Sequence, residues 1–117
     1  MVDAPRDDVS IAIRLGPALW YLGDVHDAHL ELEKALKALG AERTSETAEA
    51  LNWLSTVLLG EGDPVGSVRS AEQALEIAKE QGDRAEISFA INNLSWANAL
   101  ASNWELCGVY LSQELEV

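Results

Sequence analysis

Cysteine occurs once, at Cys107, and proline three times, at Pro5, Pro17 and Pro64. A single thiol excludes an internal disulfide and any metal site built from four cysteines. So few prolines leave long stretches free to continue as helices. Cations are scarce too: 8 Lys and Arg face 20 Asp and Glu, a net charge of −12. Such a surface repels phosphate backbones and anionic lipid, which argues against a nucleic-acid or membrane partner. No run approaches the ~20 apolar residues that span a bilayer. Asp3, Asp7 and Asp8 stand where a signal peptide needs an apolar stretch, so the expected location is the cytoplasm. There is no Gly-rich phosphate loop, no G-x-S-x-G elbow and no H-E-x-x-H helix. No enzymatic activity and no cofactor are expected.

What is present is a helix-forming chain with a repeat. Its 117 residues, 48% of them hydrophobic, fit one folded domain, and Leu, Ala and Glu dominate it. Gly23-Asp24 and Gly62-Asp63 are each followed, eleven residues after the Asp, by Ala35-Leu36 and Ala74-Leu75. A weaker third copy pairs Ser102-Asn103 with Glu114-Leu115, so the copies recur at 39 and then 40 residues. Within each copy, apolar residues recur at helical spacing on both sides of the turn. Ahead of it run Ala12-Leu15-Leu19-Leu22, then Leu51-Leu54-Leu58, then Ile87-Ile91-Leu94-Ala97. Behind it run Val25-Ala28-Leu32-Ala35-Leu39, then Val68-Ala71-Leu75-Ala78, then Cys107-Leu111-Leu115. Gly23 and Gly62 suit left-handed helix ends, and Asp24, Asp63 and Asn103 suit the N-caps that follow. Asp83 with Glu86 reads as a capping box.

This pattern predicts six helices, at 8–22, 25–39, 45–60, 64–81, 84–101 and 104–116, in one all-α domain of three antiparallel hairpins (8–39, 45–81, 84–116). The residues Ala12-x-x-Leu15-Gly16-x-x-Leu19 and Ala28-x-x-x-Leu32 resemble the tetratricopeptide (TPR) repeat. Leu51, Leu54, Ser55, Leu58, Ser67 and Ala71 match it in the second copy, and Ile91, Leu94, Ser95, Asn98, Cys107 and Leu111 in the third. Aliphatics replace the family's aromatics, and the period exceeds its usual ~34 residues. The longer period is similar to that of repeat arrays in bacterial LuxR-type and related ATPase regulators. The resemblance implies a short right-handed α-solenoid that binds a protein or peptide partner, in bacterial signalling or regulation.

In that family the first helix of each hairpin lines the groove. The resemblance therefore implies a ligand face of Ile13, Trp20, Tyr21, Asn52, Thr56, Leu59, Phe89, Asn92 and Trp96. Asn52 and Asn92 fall at equivalent places in successive copies, where an amide pairs well with an extended peptide backbone. Trp20, Phe89 and Trp96 either face a ligand or fill space between hairpins; the sequence leaves both readings open. Trp53 and Trp104 fall off that face and read as packing residues. His26, His29 and Glu33 share one side of the second helix, but two histidines on a polar face read as solvated, and no metal is expected. Cys107 reads as a small buried hydrophobe. The second functional reading is a self-associating structural fragment. An uncovered last hairpin would pair through Leu106, Tyr110 and Leu111 into a homodimer.

Overall fold

In the computed structural model, which describes residues 6–101, the Gly-Asp pairs close their helices in the same way. Gly23 and Gly62 take φ of 87° and 81°. The amide of the following Asp then reaches back to a carbonyl five residues earlier, Asp24 to Leu19 at 2.8 Å and Asp63 to Leu58 at 2.9 Å. Gly82 repeats the arrangement, with Asp83 N–H bonded to the Ala78 carbonyl at 3.0 Å. Such closures satisfy carbonyls that a helix end would otherwise leave bare.

Five helices result: α1 (Arg6–Tyr21), α2 (Val25–Leu39), α3 (Ser45–Gly60), α4 (Pro64–Gln81) and α5 (Arg84–Leu100). The α2, α3 and α4 bounds are those expected from sequence, while α1 starts two residues early and α1 and α5 each end one residue early. The Thr44, Asp63 and Asp83 side chains accept from N–H groups in the first turns of α3, α4 and α5. Asp24, expected to cap α2, makes no such bond. The Asp83 box closes on one side only, because the Glu86 carboxylate turns to Asn52 instead. The sixth helix at 104–116, Cys107, Trp104 and the self-association residues Leu106, Tyr110 and Leu111 lie outside the described residues.

The helices pack as two layers. Helices α1, α3 and α5 stand side by side, while α2 and α4 lie behind them, each joined to the helix before and the helix after it. Small residues set the closest approaches. Gly16 faces Leu32 so tightly that a Cβ there would sit 2.7 Å from Leu32 Cγ. Ser55 donates to the Ser67 carbonyl at 2.9 Å, and the two hydroxyls lie 2.8 Å apart, both side chains fully buried. Ala28, Leu32, Ala35, Leu39, Ala71, Ala74 and Ala78 form the inner stripes of α2 and α4. Outside the hairpins, Arg43 in the α2–α3 loop pairs with Glu76 and Glu80 of α4. No helix among the described residues is long and apolar enough to cross a membrane.

The buried stripe of α1 differs from the expected one. Val9, Ala12 and Ile13 are buried, whereas Leu15 and Leu22 are 39% and 77% exposed. Gly16 is the cause: packing it against Leu32 turns α1 so that residues one turn before it, at 12 and 13, point inward. Ile13 then packs with Ala35, Leu39 and Ala50 in the core instead of facing a ligand.

Candidate aromatic groove

Helices α1, α3 and α5 share one face, and a depression of about 360 Å³ opens on it. Its lining includes Trp20, Tyr21, Thr56, Leu59, Phe89, Asn92 and Trp96, seven of the nine residues expected on a ligand face. Trp53 and Asn93 complete it. Trp53 sits at the centre, edge-on to Tyr21 at 6.0 Å and to Phe89 at 5.1 Å, so rings from all three helices meet there. Such edge contacts add about 0.5–1.5 kcal/mol beyond the area they bury. Trp96 is 60% exposed and Tyr21 77%. Trp20 divides its role: its six-membered ring lies against the Gly60 backbone, where a Cβ would collide with it, and its remaining edge reaches the depression.

Beneath the rings, polar side chains tie α3 to α5. Asn52 Nδ2 donates to the Glu86 carbonyl at 3.0 Å and to its carboxylate at 2.9 Å. Asn93 Nδ2 donates to the Asn52 carbonyl at 2.9 Å, and Thr56 Oγ1 to Asn93 Oδ1 at 3.2 Å. Asn52 is fully buried: its amide nitrogen holds α5 in place, its Oδ1 has no hydrogen-bond partner among the described residues, and neither atom faces solvent. The equivalence expected between Asn52 and Asn92 fails for this reason. The next hairpin covers Asn52, whereas Asn92 is half-buried at the rim and makes no side-chain hydrogen bond among the described residues.

One turn along α3 from Trp53, the face changes character. Glu49 lines a second depression of about 230 Å³ with Ser10, Ile13, Arg14 and Glu46. Burial, then the charges of Glu46 and Asp83, push the Glu49 carboxyl above its ordinary value, against the pull of Arg14. Glu86 is also raised, first by burial and then by Glu49 and Asp83, although the Asn52 hydrogen bond acts the other way. A carboxylate with a raised folded-state value adds stability below the ordinary carboxylate range and loses it as pH rises through the raised value. These two carboxyls therefore favour the fold more on mild acidification. Glu86→Gln keeps an acceptor oxygen for Asn52 and removes the charge. It is expected to raise the melting midpoint at neutral pH and flatten the rise on acidification, as thermal melts across pH would read.

His29 is held on the opposite side of the stack, 2.6 Å from Glu61 and 3.3 Å from Glu33, while His26 is exposed. Burial disfavours the charged ring of His29, but both carboxylates outweigh it and raise its pKa. Its neighbours make it an ionic tie between α2 and the α3–α4 turn. No cluster of three or more His, Cys, Asp or Glu with metal-binding geometry occurs among the described residues.

The arrangement of layers and turns matches a solved structure. The crystal structure of the TPR domain of Arabidopsis FLU is similar with a TM-score of 0.86, covering 95% of this chain and 94% of that one at 15% identity. The fold is that of a TPR domain. No family model and no curated protein matches the chain. The TPR fold is thus built here with mostly aliphatic residues at positions where the repeat commonly carries aromatics, and five rings stand on the shared face instead. Trp53 packs against the core cluster of Ala28, Leu32, Leu54 and Val57, as its place beside the Leu51-Leu54-Leu58 stripe implies, and it also lines the depression, which that phase does not suggest. Its spacing of three from Thr56, which faces the groove, is the signal for that second role.

Proposed function

We propose that the chain is a protein-interaction module whose aromatic groove takes an extended segment of a partner protein. The observation that carries this is the ring cluster: five aromatics from three helices line one depression, and two of them are more than half exposed. Large rings left open to water are common anchors of interfaces. The amide of Asn92 at the rim suits the unpaired backbone of an extended segment better than a helix, whose own backbone groups are already bonded. The near-40-residue period is similar to that of repeat arrays in bacterial signalling regulators, and we place the module in regulated assembly of that kind.

The test is selection of a random dodecapeptide phage library on the folded chain, followed by measurement of chosen peptides on Trp96→Ser. Trp96 is exposed, so its loss leaves the fold intact, which circular dichroism melting checks. Peptides selected on the parent chain are expected to bind the variant about 30-fold more weakly, the size of a lost interface anchor of ~2 kcal/mol. Peptides that bind both proteins equally would place the interaction elsewhere.

A further inference from the structure

Resting on that groove, we infer that the segment it takes is cationic at one end: an apolar anchor in the aromatic depression followed, about three residues on, by Lys or Arg. The groove is ordered along α3. Trp53, Thr56 and Leu59 line the aromatic depression, and Glu49, one turn before Trp53, lines the second depression, which forms the acidic half of the face. The acidic half gathers Glu46 and Glu49 from α3 with Asp83 and Glu86 from the start of α5, and Arg14 of α1 is the cation that acts on Glu49. Among the described residues, no Lys or Arg lines the aromatic half.

Spacing sets the register. Seven residues separate Thr56 from Glu49, about 10 Å along a helix at 1.5 Å per residue. An extended chain covers that distance in about three residues. The carboxylates suit a cation in particular, because Glu49 and Glu86 are both partly buried and the charge of Glu49 acts on Glu86. A cation placed there relieves that repulsion as well as gaining its own attraction. A segment with Asp or Glu at that place meets like charge and is excluded.

The peptides selected from the dodecapeptide library test this directly. Sequences recovered on the parent chain are expected to carry Lys or Arg three positions, give or take one, from a Trp, Phe or Leu. On the double variant Glu49→Gln/Glu86→Gln, the same peptides are expected to bind about five- to tenfold more weakly, and a fresh selection is expected to lose its basic residues. Recovery of neutral or acidic segments that still depend on Trp96 would overturn the cationic register and leave the groove reading intact. Recovery of basic peptides unaffected by the double variant would also overturn it, assigning their charge to the acidic surface at large. Failure to recover any Trp96-dependent peptide would remove both readings.

Discussion

Ser67→Trp is expected to lower the melting midpoint by at least ~15 °C or to abolish cooperative melting. Ser67 is fully buried where α3 and α4 cross, and its carbonyl and hydroxyl both meet Ser55. An indole there must force the helices apart and break those bonds. Overpacking alone costs about 1–3 kcal/mol, and a stranded buried hydroxyl adds about 1–3 more. For a domain of this size each kcal/mol moves the midpoint by about 4–8 °C. Circular dichroism melting reads the result, and an unchanged midpoint would mean that the hairpin does not close on this pair. Ser67→Ala is expected to cost far less, since it leaves the crossing open and Ser55 still donates to the residue 67 carbonyl.

Leu32→Ala has a comparable effect and a more informative partner. Leu32 is fully buried, and truncation of such a residue costs about 2–5 kcal/mol. Its branch point fills the space beside Gly16. Gly16→Ala alone is expected to cost about 1–3 kcal/mol, because a Cβ 2.7 Å from Leu32 Cγ leaves the leucine nowhere to go. In the Leu32→Ala background the same methyl enters vacated space. The gain in helix propensity is then offset by Pro17, whose ring disfavours helical geometry at a preceding residue that bears a Cβ. The second substitution becomes nearly neutral. A double-mutant cycle by urea unfolding should give a coupling of about 1–3 kcal/mol. Additive effects would show that α1 and α2 do not meet through this pair.

The same two contacts show what the sequence made legible. Gly16 and Ser55 fall at one place in successive copies, and Ala28 and Ser67 at another, and small residues recurring at matching places are what a close helix crossing needs. The Gly23 and Gly62 turns were readable because a left-handed φ followed by a polar residue has few other uses. The rotation of α1 was not readable. Val9, Ile11, Ile13, Leu15, Leu19 and Leu22 spread apolar surface around most of that helix, so several stripes fit it, and only the contact between Gly16 and Leu32 selects one. Within the groove, ring identities were visible but a one-residue change of phase, about 100° of rotation, exchanges Asn52 for Trp53. Asn52 was hidden for another reason. Its partner Glu86 lies 34 residues on, in the next hairpin, where no local spacing could reveal it.

The two walls of the groove are joined to its centre by different kinds of force. Helix α5 is fastened to α3 by the Asn52, Asn93 and Thr56 side chains, whereas α1 meets α3 through Ile13 on Ala50, Trp20 on Gly60 and the edge of Tyr21 on Trp53. Apolar adhesion weakens on cooling and in urea, while hydrogen bonds aimed between fixed side chains resist small displacements. The two sides of the cleft therefore answer differently to solvent: cooling or urea is expected to loosen the α1 side before the α5 side.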